Sequence, residues 1–276
     1  MEYTFETPEP VDLYLELDRG QVTVTAVATG QSSLRVEGDQ PERLQVHADG
    51  NRIRAVVERR SLFDFAPSLR VWVTVPVESR AAVRTGSAGV AAAGRLAEAT
   101  VTSGSGDVEV AEAGTANLQT GSGQVRVGTV GQLRAKTGSG DVTVGEVAGP
   151  ALLHSGSGNL RLGHARANAS LKTASGDIAV EVADADLVTT TASGDIAVSR
   201  VSRGDITGSS ASGSLRIGVP PAVPVWTDIS TLTGRISSDL AGAGRPQAGQ
   251  DHLRLRAKTV SGDVRLEQLQ NPDVLR

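Results

Sequence analysis

The chain has 276 residues, carries a formal net charge of −4 at pH 7 and contains no cysteine. The lack of cysteine excludes disulfide bonds and thiolate-bound metals, and the acidic balance argues against nucleic acid as the main partner. Aromatic residues make up only 3% of the chain, so an apolar core must be thin and built from Val, Leu, Ile and Ala.

Residues 1–80 are predicted to form an irregular β-structure. Alternating apolar and polar residues, typical of half-buried strands, occur at 11–17, 21–24, 52–57 and 71–76. We interpret this region as an N-terminal β cap with the first irregular coils, because the terminal units of a stacked protein face water and deviate from the rest.

The first residues of the sequence give information on where in the cell the protein is expected. Residues 1–8 contain acidic side chains and no basic-then-apolar run, so they do not resemble a secretion signal. No segment approaches the ~18 apolar residues that span a membrane. We therefore expect a cytoplasmic protein with no membrane span, while export to the surface by another route stays open.

From residue 81 the sequence repeats. Each unit has a reference glycine with Ser or Thr three positions before it, Ser or Thr directly before it, and an aliphatic residue two positions after it. The steps between successive reference glycines are 17, 17, 18, 18, 18, 19, 21 and 28 residues. Units of this length cannot bury their own apolar face, so they stack on their neighbours. The predicted corner residues are these glycines: Gly106, Gly123, Gly140, Gly158, Gly176, Gly194, Gly213, Gly234 and Gly262.

The spacing within each unit predicts its shape. The inward positions change parity between the Ser or Thr before the glycine and the aliphatic residue after it. A straight strand cannot change parity, so the chain is expected to turn at the glycine, where positive φ would favour this residue. A strand, this corner, a second strand and a looser corner complete one coil. The sequence therefore predicts an all-β fold, a right-handed parallel β-solenoid of 17–18-residue coils with an irregular N-terminal β cap.

The regular solenoid is expected to cover residues 81–276 and to form one continuous structural unit with the cap. Two segments depart from the repeat, near 218–228 and 237–251, and we interpret them as insertions. Trp226, in the first of them, is predicted to pack over the apolar end of the stack.

Three features together resemble a bacterial family of β-strand-repeat proteins of adhesin type. They are the opening phrase at 5–8, the strand end at 73–76 and the iterated corner, as in Thr137-Gly138-Ser139-Gly140-Asp141-Val142. The resemblance covers nearly the whole chain. It implies a β-helix-like fold, a molecular function that is otherwise undefined, and no known catalytic residues.

An acidic position follows the reference glycine. Carboxylates in successive coils could bind Ca²⁺, which prefers oxygen ligands. Neutral residues interrupt the row at Gln124 and Asn159, and Asp also suits corners because it hydrogen-bonds to backbone N–H groups. We favour corner chemistry, with no metal and no cofactor. The weaker alternative is a calcium site at Asp107, Asp141, Asp177 and Asp195.

The repeated hydroxyls do not indicate catalysis. A nucleophile needs one activated hydroxyl with its base, whereas here the hydroxyl recurs in every coil without a repeating His or Lys. We expect the inward hydroxyls to bond to the backbone and to one another. The Gly-Ser-Gly sequence is not a phosphate-binding loop, because a strand follows it where such a loop opens a helix.

The function predicted from these features is that of a non-enzymatic binding or scaffold protein. A protein partner or a glycan would bind a surface of outward-facing cations. An alternative is a cytoplasmic filament or other homo-oligomer, because coil stacking can continue between molecules. A carbohydrate-active enzyme is less favoured, since it would depend on the few candidates Asp228, Asp239, Arg245 and Asp251. The predicted surface-binding residues are Arg134, Lys136, Lys172, Arg256 and Lys258.

Overall fold

The computed structural model describes residues 1–58, 67–241 and 252–270. Apart from a single 3-10 turn at Pro41–Arg43, the regular structure of these residues is β-strand. The chain divides into two compact units, residues 1–140 and residues 141–276. The boundary expected near residue 80 therefore falls inside the first unit.

The first unit contains β1 to β11 of the described residues. Their bounds are β1 (Glu2–Glu6), β2 (Asp12–Leu17), β3 (Arg19–Val27), β4 (Gln31–Gly38), β5 (Leu44–Asp49), β6 (Arg52–Val57), β7 (Ser68–Pro76), β8 (Arg80–Thr85), β9 (Gly89–Ser103), β10 (Val108–Thr120) and β11 (Val125–Thr137).

Parallel stacking confirms the predicted solenoid in this unit. Strand β10 pairs with β9 on one edge and with β11 on the other, both in parallel. Val108 lies opposite Val90 and Val125 in this register, and all three side chains are buried. Aliphatic residues of one column therefore cover one another from coil to coil, which is how such thin units bury apolar surface.

The N-terminal strands do not stack in sequence order. Strand β2 lies between β6 and β8, and β3 lies between β7 and β9, all in parallel. Strand β1 pairs antiparallel with β4, β4 with β7, and β5 with β6. Residues 12–27 are thus covered by a coil that comes later in the chain.

The second unit contains β12 to β24 of the described residues. Their bounds are β12 (Val142–Val147), β13 (Ala151–Ser155), β14 (Leu160–Ala165), β15 (Ala169–Lys172), β16 (Ile178–Ala183), β17 (Leu187–Ser193), β18 (Ile196–Val201), β19 (Gly204–Ser212), β20 (Leu215–Val219), β21 (Val225–Thr231), β22 (Ile236–Ser238), β23 (Leu253–Ser261) and β24 (Val264–Gln268).

These strands form two parallel stacks, and here too the predicted solenoid is confirmed. One stack runs β13, β15, β17, β19, β23, β21, and the other runs β12, β14, β16, β18, β20, β24, β22. The coil made by β23 and β24 therefore lies between the coil made by β19 and β20 and the coil made by β21 and β22. The stack order at this end differs from the order of the sequence.

Part of the first predicted insertion is regular strand in the structure. Residues 225–228, placed in an insertion by the sequence, are part of β21. Residues 242–251 of the second predicted insertion lie outside the described residues. The prediction for Trp226 is wrong: it lies opposite the outward-facing Arg254 and is 54% exposed, because its position in β21 has outward parity.

The corner lies slightly before its predicted position. Ser103, Gly106 and Val108 are buried, whereas Gly104 and Ser105 between them are exposed. The two exposed residues form the turn. The reference glycine comes after the turn and is buried, like the aliphatic residue two positions later. The inward positions do change parity at the corner, as predicted, and the turn takes up the two residues before the reference glycine.

Candidate functional site

The repeated hydroxyls lie inside the corner and join successive coils. The Thr120 hydroxyl donates to the Gly106 carbonyl oxygen at 3.2 Å and accepts from the Gly123 N–H at 3.1 Å. Thr137 repeats this pattern with Gly123 and Gly140, at 3.2 and 3.0 Å. These side chains are buried, so both of their bonding functions are used for structure.

The reference glycines are required for a different reason from the one expected. A Cβ on Gly123 would lie 2.1 Å from the Gly106 carbonyl oxygen, and one on Gly106 would lie 1.9 Å from that of Ala88. Only Gly213 and Gly262 among the reference glycines have positive φ, at 158° and 149°. The prediction of positive φ is therefore wrong for most of them. Close approach of the neighbouring coil's backbone excludes a side chain instead.

The acidic position following the glycine also bonds between coils. Asp107 Oδ1 accepts the Gln124 N–H at 2.8 Å, and Asp177 Oδ1 accepts the Asp195 N–H at 2.9 Å. Asn159 does the same for Asp177 at 2.9 Å. Each side chain thus holds the equivalent amide of the next coil. Asp141 and Asp195 make the same bond, to Asn159 and Ser214, both at 2.8 Å.

This geometry gives the calcium alternative no support. At Asp107, Asp141, Asp177 and Asp195 one carboxylate oxygen already accepts a backbone N–H, and the neutral Asn159 fills the same role in its coil. Within residues 1–58, 67–241 and 252–270, no group of three or more His, Asp or Glu side chains is arranged to hold a metal ion.

Asp177 provides a test of this assignment. We expect Asp177→Asn to leave the free energy of unfolding unchanged within about 0.5 kcal/mol, because Asn retains the acceptor, and Asp177→Ala to lower it by about 1 kcal/mol. Thermal unfolding with calcium or a chelator should give the same midpoint. A calcium-dependent midpoint that Asp177→Asn abolishes would contradict the assignment.

The predicted basic residues of the second unit do not form one continuous stripe. Arg134 and Lys136 lie on β11 in the first unit. In the second unit, Lys172 and Lys258 belong to one column but are separated by Thr190 and Ser209. Arg256 and Lys258 share the outer face of β23.

Sequence reasoning missed a groove on the outer face of the first unit. It lies over β6, β2, β8 and the second half of β9, and its volume is about 390 Å³. One row of lining side chains runs Arg52, Asp12, Arg80, Glu98, and the next runs Arg54, Tyr14, Ala82, Thr100. Ala82 is the smallest of the eight and leaves a hollow beside the Tyr14 ring. We call this the arginine groove.

The charges in the arginine groove are only partly paired. Arg80 forms an exposed ion pair with Asp12 at 3.5 Å. The Arg54 guanidinium lies over the Tyr14 ring, 5.6 Å from its centroid. Among the described residues, no carboxylate lies within ion-pair distance of Arg52 or Arg54. The groove therefore presents two cations that are available to an anion.

Tyr14 is held in place by its hydroxyl. It donates to Glu16 Oε2 at 2.7 Å, and this bond, together with partial burial, raises the pKa of the Tyr14 hydroxyl above its ordinary value. The phenol therefore stays neutral at physiological pH. On the far side, Thr100 Oγ1 donates to Glu98 Oε1 at 3.2 Å. The aromatic ring between these polar groups forms an apolar wall.

One histidine has a defined partner in the second unit. His164 Nε2 lies 2.6 Å from Asp184 Oδ2, and both side chains are partly exposed. The bond from His164, aided by one from Ser202, lowers the pKa of the Asp184 carboxyl, and burial opposes this shift. The pair links neighbouring coils.

Stacked parallel coils, corners whose polar groups bond to backbone, and an exterior groove define a β-solenoid repeat protein. The chain belongs to the Toastrack DUF4097 family, whose model matches residues 12–267. No curated protein matches the sequence.

The solved structures that match the chain share little sequence identity with it. A candidate adhesin from Bacteroides fragilis is 15% identical, with 96% of each chain covered and a TM-score of 0.42. Candidate adhesins from Parabacteroides merdae and Parabacteroides distasonis are 14% and 12% identical, each with 98% of this chain and 96% of theirs covered, at TM-scores of 0.41 and 0.40. In the described part of the chain, no helix has the length and hydropathy needed to cross a membrane.

Proposed function

We propose that this protein is a non-enzymatic binding protein and that the arginine groove is its ligand site. The observation that carries the proposal is the pair of guanidiniums at Arg52 and Arg54, without carboxylate partners among the described residues, beside a hollow walled by Tyr14. The ligand class that fits is a small carboxylate with an apolar ring face, such as a uronic acid sugar.

The chemistry of the groove supports this ligand class. A guanidinium binds a carboxylate through two parallel hydrogen bonds, which fixes orientation as well as affinity. An aromatic ring packs against the apolar face of a sugar while its polar edge stays hydrated. The volume of about 390 Å³ lies within the usual range for small-molecule sites. Three arginines against Asp12 and Glu98 leave the lining with a net positive charge.

The test is calorimetric titration of the full chain with an oligogalacturonate and, in parallel, with a neutral galactose oligomer. We expect binding of the acidic oligomer only. Arg54→Ala should weaken it about tenfold, because a charge-assisted hydrogen bond is lost. Ala82→Leu should abolish binding by filling the hollow.

Arg134→Ala, a cation on another strand of the same unit, is the matched control and should bind as the unmodified chain does. Equal binding of the neutral oligomer, absence of binding, or unchanged affinity in both Arg54→Ala and Ala82→Leu would overturn the proposal. Unfolding midpoints measured alongside separate loss of binding from loss of folding.

The candidates for carbohydrate-active chemistry gain no support. Asp239 Oδ1 accepts the Gln268 N–H at 2.7 Å, which assigns it a structural bond. Asp228 lies on β21 in register with Arg256. Arg245 and Asp251 lie outside the described residues. That the protein is not an enzyme, and that it resides in the cytoplasm, remain predictions from the sequence.

A self-assembling scaffold is the second candidate, and one observation favours it. Strand β21 pairs with β23, and β22 pairs with β24. Within the described residues, no strand pairs with the opposite edge of either β21 or β22. A free strand edge presents backbone donors and acceptors to another chain. The mass of the protein in light scattering tests this alternative.

A further inference from the structure

The outer face of the last coils combines cations with exposed apolar side chains. Arg254, Arg256 and Lys258 follow one another at outward positions of β23. Trp226 lies beside Arg254 on β21, and Leu232 follows β21 at the corner. We call this surface, with Val260, the basic–apolar face.

The apolar members occupy positions where other coils hold very small residues. Two positions before the reference glycine, earlier coils have glycine or alanine, as at Gly104, Gly121 and Ala192. The last coils have Leu232 and Val260 instead, which are 78% and 53% exposed. The Thr233 N–H donates to the Val260 carbonyl at 3.0 Å, so the two side chains belong to adjacent corners. Large aliphatic side chains that are exposed side by side at adjacent corners are typical of an interaction site.

The cations between these apolar ends are largely unpaired. Arg254 forms an exposed ion pair with Asp205 at 3.4 Å. Among the described residues, Arg256 and Lys258 have no carboxylate within ion-pair distance, although Asp228 faces Arg256 in the strand register. The three cations exceed the two nearby acids, Asp205 and Asp228. The face is therefore locally positive on a chain of net negative charge.

We propose that the basic–apolar face docks on the surface of an anionic lipid bilayer. Cations near such a surface are attracted by its headgroups, and exposed apolar side chains enter the boundary below them. Tryptophan favours this boundary because its ring is amphipathic. Leu232 is six positions after Trp226, a span of at most about 20 Å, so a flat surface reaches both while contacting the cations on the neighbouring strand.

The charges favour a bilayer over a second copy of the chain. Two copies that met symmetrically through this face would bring their cationic rows together, and the like charges would repel. Anionic headgroups instead neutralise the row and leave the apolar side chains to be buried. Dimerisation through this face is therefore the competing result of the test.

The experiment is flotation of the full chain with vesicles of phosphatidylcholine alone and with vesicles that also contain phosphatidylglycerol. We expect binding only to the anionic vesicles, and weaker binding at high ionic strength. Arg256→Gln with Lys258→Gln should weaken it about 25-fold, at about fivefold for each cation removed. Leu232→Ser with Val260→Ser should weaken it about tenfold.

The matched control is Arg134→Gln with Lys136→Gln, which removes the same charge from β11 and should leave vesicle binding unchanged. In a Trp72→Phe background Trp226 is the single tryptophan of the chain, and its emission should shift to the blue on anionic vesicles. Equal binding to neutral vesicles, an equal loss in the control, no binding at all, or a lipid-free dimer that the Leu232 and Val260 substitutions dissociate would each overturn the proposal.

Discussion

Replacing Gly123 with alanine is expected to lower the free energy of unfolding by about 3 kcal/mol or more. The added Cβ would lie 2.1 Å from the Gly106 carbonyl oxygen and 2.9 Å from the Thr120 hydroxyl. Both belong to the packed corner column, so neither can move without separating two coils. Urea unfolding followed by circular dichroism measures the effect.

Gly50 provides the matched comparison. Glycine is required at Gly123 by close contact with a neighbouring coil, whereas at Gly50 it is favoured by the backbone conformation alone. Gly50 has φ of +54°, and a Cβ there would meet nothing within 4 Å. Gly50→Ala should cost about 1 kcal/mol, the price of a left-handed conformation alone. If Gly50→Ala proved as damaging as Gly123→Ala, close approach would not be the reason for the corner glycines.

Replacing Thr120 with valine is expected to cost about 2 kcal/mol. Valine keeps the shape of the side chain but removes the donor to the Gly106 carbonyl and the acceptor for the Gly123 N–H. Two buried backbone groups are then left without a partner, which is costlier than the loss of a hydrogen bond at the surface. The same urea titration measures the change.

Two controls accompany this substitution. Thr120→Ser retains the hydroxyl, and Ser103 already occupies the equivalent position with a 2.9 Å bond from the Gly106 N–H. Thr102→Val changes an exposed position of β9 and should be nearly neutral. A loss in Thr102→Val as large as that in Thr120→Val would show that the hydroxyl column is not the source of the effect.

The repeat made the coil predictable, because one column of aliphatic residues recurs at nearly constant spacing. The stacking of Val108 on Val125 follows directly from that spacing. The order in which the coils stack at the two ends of the chain could not be predicted from that spacing. Strands β21 and β23 follow the same strand pattern, and the spacing of the repeat alone does not choose which of them pairs with β19. A signal lies in residue type instead, because Thr227 and Ser238 of the outer coil stand opposite Leu255 and Leu266.

The polar sites show a similar division. The sequence located the Asp and Thr positions of the corners and predicted backbone partners for them, but it did not show that the Asp bonds run to the next coil rather than within one turn. The arginine groove left no periodic signal at all. Its side chains come from β2, β6, β8 and β9, which the sequence separates by irregular connections and only the transposed stacking brings together.

The position of residues 253–268 between two earlier coils has a consequence for synthesis on the ribosome. A nascent chain that has not yet emerged past residue 252 exposes the edge of β19 that β23 occupies in the finished molecule. Strand β21 precedes β23 in the chain and is already available to pair there. The native arrangement then requires residues 253–268 either to arrive before β21 docks on that edge or to displace β21 from it.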